Sequence, residues 1–438
     1  MNYYKNMKKS PALIIIILFL FPFVIDAKDF TILFTGSTRN VFLACGCPGN
    51  PFGGISQRAY MIETLRNQSK DLLLLDGGDI FPAGKSDFEK RKLQYILKAY
   101  SVMHYDAIAP GEMDFNLGLK YLMDETGQNL LPFISASLFS HESTSLLFSP
   151  YTIKDIDGVK IGVLSLTDGT DRNIESVTVS SQTSRIKAYL DYLKSKTDII
   201  IIVSHADLAT DKILIEKYPQ VSLIIEGHWD KDYPHKTVHK SVPIFNARKD
   251  GEYLGKLKIS LDDKNRIEKI DDEFIPLSKV LPADKKVEKL FLQYLDEVKK
   301  TSSEGETIPE YEAYRAGMGN IYMPNEKCAE CHSEQYDQWS NTKHAEAFQT
   351  LIKDGRDFDP ECLYCHTIGY GRKGGYINFT KTPEMINVGC TACHKVTDNH
   401  PQSKSSEAEI TENVCVVCHT TDKDPKFIFE EFVPKVMH

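Results

Sequence analysis

Cys-x-x-Cys-His occurs four times in the last quarter of the chain. The copies are Cys328-Ala-Glu-Cys331-His332, Cys362-Leu-Tyr-Cys365-His366, Cys390-Thr-Ala-Cys393-His394 and Cys415-Val-Val-Cys418-His419, and they use eight of the ten cysteines. Two thiols at this spacing can form thioethers to one edge of a porphyrin, while the next histidine reaches the iron from one side. That is the attachment signature of a c-type haem. Zinc modules also use Cys-x-x-Cys, but zinc has no need of a histidine directly after every second cysteine. Four haem c groups are therefore expected. A six-coordinate iron needs a second axial ligand, and the region holds three further histidines, His344, His400 and His438. Three spare histidines against four motifs predict three bis-histidine haems and one with an open or Met-ligated face.

A second group of reactive residues is Cys45-Gly46-Cys47-Pro48, followed by Gly53-Gly54 and by Arg58 on the next helix. Three readings are equally open for the two thiols: a strained disulfide across one residue, a soft-metal site, or a redox pair. The two glycines before a helix could also cradle an anion.

The elements that must position these groups fall into two regions. Phe30–Phe34, Asp71–Leu75, Ala107–Ala109, Val159–Leu166, Asp198–Val203 and Ser222–Ile225 read as short strands. Ser56–Asn67, Phe88–Met103 and Ser184–Lys194 read as helices between them, and the alternation predicts an α/β domain. Asp157-Gly158 and Asp262 to Asn265 read as hairpin turns. Residues 283–300 read as a helix with Val287, Leu290, Phe291, Tyr294, Leu295 and Val298 on one packed face. Thr301–Thr307 reads as a polar linker. From Pro324 onward there are few long periodic segments, as expected where porphyrins supply the core, and 12 Lys and Arg stand against 18 Asp and Glu, a balance of −6.

The 438 residues allow two or three domains, and 42% hydrophobic content suits a globular core. A net charge of −9 gives no sign of a nucleic-acid partner; it fits solubility and docking to redox proteins as donor and acceptor. Lys5, Lys8 and Lys9 precede an apolar run, Ala12 to Ile25, with Ala27 as a small residue for cleavage. Residues 1–27 are thus expected to be a signal peptide directing the chain to the periplasm or another extracytoplasmic space. Ile25 is a poor cleavage-site residue, which leaves an uncleaved membrane anchor as the alternative.

The C-terminal region resembles the tetrahaem cytochrome c-554 family, which shuttles electrons from hydroxylamine-oxidising enzymes. The resemblance rests on Trp339 and Lys343-His344-Ala345 after the first motif, and on Gly369-Tyr370-Gly371-Arg372-Lys373-Gly374-Gly375-Tyr376 after the second. Gly389 before the third motif, Asn399-His400 after it, and the segment from Phe427 to His438 complete it. The resemblance implies His344 as the distal ligand of the haem on Cys415 and Cys418. It implies His400 for the haem on Cys328 and Cys331, and His438 for the haem on Cys390 and Cys393. The haem on Cys362 and Cys365 would be five-coordinate through His366.

Residues 29–275 resemble the calcineurin-like metallophosphoesterases, in particular the 5′-nucleotidase branch. That family implies a sandwich of two sheets flanked by helices, with two metals at strand ends activating water. Of its motifs, Leu75-Asp76-Gly77-Gly78-Asp79 and Ser204-His205 are intact. Thr35-Gly36-Ser37-Thr38-Arg39 stands where Asp-x-His is expected, Gly111-Glu112-Met113-Asp114 where Gly-Asn-His-Glu is, and Gly227-His228-Trp229-Asp230 where Gly-His-x-His is. Asp79, His205 and His228 survive as ligands, and Glu112 and Asp230 could join them around one divalent metal. Ser37, Arg39 and Met113 remove the means for ordinary dinuclear hydrolysis.

These readings predict a signal peptide at 1–27, a metallophosphoesterase-like α/β sandwich at 28–280, a helix and linker at 281–325, and a mainly α, haem-packed tetrahaem cytochrome at 326–438. The expected function is electron transfer through covalent haems. The alternatives are a remodelled metal-dependent hydrolase coupled to redox, and small-ligand chemistry of the nitric oxide or hydroxylamine type at the five-coordinate haem.

Overall fold

The computed structural model describes residues 28–43, 51–143, 145–168, 174, 176–180, 183–228, 233–304, 322–394, 396, 400, 410–421 and 423–438. The expected signal peptide, Cys45, Cys47 and Asp230 lie outside the described residues. No helix among those described is long and apolar enough to cross a membrane.

In chain order the first lobe runs β1 (Asp29–Thr35), α1 (Ile55–Gln68), β2 (Leu72–Asp76), α2 (Asp87–Met103), β3 (Ala107–Ile108), α3 (Leu119–Gln128), β4 (Leu138–Ser140), β5 (Tyr151–Ile156) and β6 (Val159–Thr167). It continues through β7 (Val177–Val179), α4 (Thr183–Lys196), β8 (Ile199–His205), α5 (Leu208–Lys217), β9 (Leu223–Glu226), β10 (His235–His239), β11 (Val242–Asn246), β12 (Tyr253–Leu261), β13 (Ile267–Pro276) and α6 (Lys285–Glu304). One sheet has the order β13-β12-β1-β2-β3, a second β10-β11-β9-β8-β6-β5, and β4 pairs with β7 in a third.

Side chains alternate across each strand, and that period of two builds the layers. On β1, Phe30, Ile32 and Phe34 point between the two large sheets, where they meet Val163, Ile201 and Ile225. Leu33 points the other way, under α1, α2 and α6, with Ile62, Leu93, Ile96 and Val298. On β8, Ile201 and Val203 face the sandwich interior, while Ile200 and Ile202 face Leu190, Leu193 and Leu214 of α4 and α5. The result is a four-layer α/β/β/α sandwich. Both expected hairpins are present, as antiparallel β5–β6 and β12–β13. β1–β2 and the β6–β8–β9 run are parallel, so their C-terminal ends share one edge.

The expected linker at Thr301–Thr307 is corrected at its start: α6 continues to Glu304. Propensity at Thr301-Ser302-Ser303 is overridden by contacts. Arg91 donates to the Thr301 hydroxyl at 2.5 Å, and Ser302 donates to the Phe358 carbonyl and accepts from Asn378.

The C-terminal region is mostly short helices: α7 (Asn325–Ala329), α8 (Ser333–Ser340), α9 (Ala347–Asp354), α10 (Pro360–His366), α11 (Cys390–Cys393), α12 (Glu412–Cys415) and α13 (Phe429–Phe432). Its buried apolar cluster comprises Phe348, Leu351, Leu363, Ile368, Tyr370, Tyr376 and Met385. That is a small core for a segment of this length.

Candidate functional site

The shared strand edge of the first lobe gathers acidic and imidazole side chains. Asp79 follows β2, Glu112 follows β3, His205 ends β8 and His228 follows β9. Asp79, Glu112 and His205 each offer a ligand atom, all within 4.8 Å of one another. His205 Nε2 lies 2.9 Å from Glu112 Oε2 and 3.3 Å from Asp79 Oδ2. His228 stands at the rim, with Nε2 at 3.9 Å from Glu112 Oε1 and its ring edge-on to His205 at 5.6 Å. His205 Nδ1 lies 2.6 Å from the Gly77 carbonyl. A carbonyl only accepts, so Nδ1 carries a proton and Nε2 is the atom turned toward the carboxylates.

Close approach of strand ends makes the cluster possible. A Cβ on Gly111 would overlap the Asp79 carboxylate and the His205 ring, and one on Gly227 would overlap the Gly77 backbone. Asp79 itself is held at φ 54°. The last residue of the third motif, to which the sequence alone assigns no role, organises this turn. Asp114, fully buried, accepts from the backbone N–H groups of Asp79, Ile80, Phe81 and Gly111 at 2.7–3.1 Å. A short acid in a loop that must satisfy many amides was the available signal. Burial, and secondly the charge of Asp79, push Asp114 up to about 7. Burial alone would raise Glu112, but His205 outweighs it and holds the carboxylate well below its usual range. His205 is raised well above its ordinary value, Asp79 and Glu112 outweighing the effect of burial.

The residues at the altered motif positions have structural partners. Ser37 donates to the Gly227 carbonyl at 3.0 Å, and Arg39 Nε lies 3.7 Å from Asp250. Met113 is buried and donates its backbone N–H to Asp79 Oδ1 at 2.8 Å. None of the three presents a metal ligand or a transferable side-chain proton. The donor set present, two carboxylates and one or two imidazoles, fits a single divalent ion of the zinc, manganese or iron type.

At the Gly53-Gly54 turn two amides are already engaged. Gly53 donates to the Leu277 carbonyl and Ile55 to the Phe42 carbonyl, so those amides hold the loop. Arg58 is wholly buried, donating to Thr38 and Tyr100 at 3.0 Å each. Tyr100 and Thr35 in turn donate to Asp76 Oδ2 at 2.9 and 2.5 Å.

In the second lobe the eight motif cysteines form no disulfide. His332, His394 and His419 each follow one backbone turn closed on the first cysteine of the motif. Each of the three spare histidines faces a different motif histidine. Ring centres are 6.2 Å apart for His332–His400, 6.2 Å for His344–His419 and 5.4 Å for His394–His438. Two metal–nitrogen bonds of about 2 Å, plus the distance from each nitrogen to its ring centre, require roughly 6 Å between rings that share an iron. The first two pairs match that span, and the third is tighter. His366 is left without an imidazole opposite it, because all three spare histidines are taken. Its Nδ1 donates to the Ala347 carbonyl at 2.7 Å, and His419 Nδ1 lies 2.9 Å from Asp424 Oδ2. These partners orient the rings with Nε2 outward.

Sheet order, layering and the ligand-bearing strand ends define the first lobe as a metallophosphoesterase-type sandwich. The chain is 28% identical over 244 residues to a 5′-nucleotidase of Diplobatis ommata, covering 49% of this chain and 42% of the relative. It is 25% identical over 267 residues to the snake venom 5′-nucleotidase of Naja atra, covering 54% and 50%. The chain thus spans about half the length of the curated relatives it matches. Among solved structures, the 5′-nucleotidase precursor of Thermus thermophilus has a TM-score of 0.55 at 18% identity, covering 75% of this chain and 68% of that one. The sulfate thiohydrolase SoxB of the same organism has 0.54 at 16% identity, covering 61% and 60%. These structures show the fold. Residues 327–395 match the family model described as cytochrome c554 and c-prime. The chain therefore joins a 5′-nucleotidase-like, calcineurin-type lobe to a cytochrome c554-like region.

Proposed function

We propose that this chain is an exported multihaem c-type cytochrome, carrying four covalent haems at 326–438 on a 5′-nucleotidase-like lobe at 28–280 that has lost dinuclear hydrolysis. The observation that carries the reading is the imidazole pairing: three histidines outside the motifs each face a different motif histidine at 5.4–6.2 Å. Haem bound there would supply reversible one-electron iron chemistry. The protein's part is to fix the rings from both sides, which limits rearrangement between oxidation states. His366 alone would hold its iron from one side. The small apolar cluster around Phe348 supports the same reading, since porphyrins would complete the core. Donor and acceptor would be other redox proteins.

The test is to produce the chain with a haem c maturation system and count covalent haem and iron. Four of each per chain, with three low-spin centres and one high-spin centre, is expected. Zinc in place of iron, or haem lost on denaturation, would sink the proposal.

The Asp79–Glu112–His205 cluster favours a second reading, a mononuclear metal-dependent hydrolase coupled to the redox lobe. Phosphate- or sulfate-ester cleavage that disappears in Asp79→Ala would establish it.

A further inference from the structure

Lys92 lies on α2 of the phosphoesterase-like lobe and is only 3% exposed. A buried ammonium needs a charge partner. The carboxylate that answers it comes from the other lobe: Lys92 Nζ sits 2.5 Å from Glu361 Oε1. Glu361 directly precedes Cys362, the first attachment cysteine of the second motif.

Among the described residues, further contacts between the lobes join α6 to the segment just before Glu361. Ser302 on α6 donates to the Phe358 carbonyl at 3.1 Å, and Lys299 lies over the Phe358 ring. Arg356 and Asp359 pair at 2.5 Å beside Glu361. The Cys362 sulfur registers these charges. Burial pushes its thiol up to about 12, Asp359 and Glu361 push the same way, and Arg356 and Lys423 oppose them. Four charged groups thus act on this sulfur, two cationic (Arg356, Lys423) and two anionic (Asp359, Glu361), and Lys92 pairs with one of the anions. Without Lys92, Glu361 loses its closest cation.

We propose that Lys92 sets the reduction potential of the haem attached through Cys362 and Cys365, so that the phosphoesterase-like lobe tunes one haem of the other lobe. The proposal rests on the haem-binding reading above. Its physical basis is simple. Reduction adds an electron to the haem, so a nearby fixed cation favours the reduced form and a nearby fixed anion opposes it. Lys92 neutralises Glu361 as Arg356 neutralises Asp359, so removing Lys92 leaves the Glu361 carboxylate to oppose reduction. Lys92 is a positioning and tuning residue here, not a catalytic one.

The haem on Cys362 and Cys365 is the one whose His366 lacks an opposite imidazole, so its high-spin ferric signal can be followed separately from the other three. The experiment is a potentiometric titration of the full holoprotein with dithionite, monitored by that signal, for wild type, Lys92→Gln and Glu361→Gln. Lys92→Gln should shift the high-spin midpoint to more negative potential, and Glu361→Gln to more positive potential, with the low-spin midpoints moving less. Opposite signs would separate electrostatic tuning from damage to the interface, which would move both variants the same way. Lys92→Arg should restore the wild-type midpoint. Four covalent haems with an unmoved high-spin midpoint, or shifts of the same sign, would overturn the proposal alone. Absence of covalent haem at Cys362 and Cys365 would overturn both it and the reading on which it rests.

Discussion

His332 and His400 stand 6.2 Å apart with their ring planes only 17° from parallel. They are separated by a long stretch of chain that includes two other motifs, so the pairing is a product of tertiary structure. His344 and His419 have the same spacing at a much larger angle, 51°. A common partner between the rings would fix their spacing and leave the angle free, and the His394–His438 pair, at 5.4 Å, is tighter than the other two.

His400→Ala should convert the haem on Cys328 and Cys331 from low-spin to high-spin without detaching it. The high-spin count should rise from one to two per chain, and carbon monoxide should bind two ferrous haems where wild type binds one. Ferric electron paramagnetic resonance and a carbon monoxide titration read this directly. An unchanged low-spin count in the variant would show that His400 is not a ligand.

The Asp79–Glu112–His205 cluster makes a separate prediction. Protein purified without chelators should hold about one divalent metal per chain beyond haem iron, and Asp79→Ala or His205→Ala should abolish it, since each removes a central donor. Changing Glu112→Asn together with Met113→His should not create ordinary phosphomonoesterase activity, because Ser37 and Arg39 still leave the other metal position without ligands. Robust dinuclear hydrolysis in that double variant would contradict the assignment of those two residues.

Much of this was legible in the sequence, and for a physical reason. Cys-x-x-Cys-His is a local constraint, so its spacing survives in the linear text. Continuous apolar runs such as Ile199–Val203 reveal strands buried on both faces. Asp79, Glu112 and His228 were readable because each follows a glycine just past a strand, and His205 because Ser204-His205 closes an apolar strand. Interactions between distant segments left no such trace. Lys92 and Glu361 are 269 positions apart, and nothing in either neighbourhood marks a buried ion pair. Asp114 was visible only as the last residue of its motif, because its role is to bind backbone amides, which every sequence has. Arg58 stands out in the sequence beside residues 45–54, but its burial against Thr38 and Tyr100 is set by tertiary structure.

Asp114→Ala should lower metal affinity by about 10–100-fold while leaving Asp79, Glu112 and His205 in place, the range expected when a group that orients ligands is lost. The mechanism is specific. Four backbone N–H groups that converge on its carboxylate would lose their acceptor, freeing the Asp79 turn and the Gly111 loop to separate. Isothermal titration with manganese or zinc checks it. Unchanged affinity would mean that the glycine contacts alone hold the loops together.

Asp76 supplies a pH dependence with a defined sign. Burial, opposed by Arg58, raises its folded value from 3.8 to about 6. Between those values the folded chain binds more protons at this site than the unfolded chain, so stability falls as pH rises. The contribution is fully present below about pH 4 and lost through about pH 6, amounting to on the order of 3 kcal/mol over that window. Asp76→Asn removes the titration whatever constant cost the amide brings to Thr35, Tyr100 and Gly78. Urea unfolding of the first lobe across this range should show the wild type losing stability relative to the variant with rising pH. Parallel curves would mean that Arg58 keeps Asp76 ionised throughout and that the buried pair does not titrate in this range.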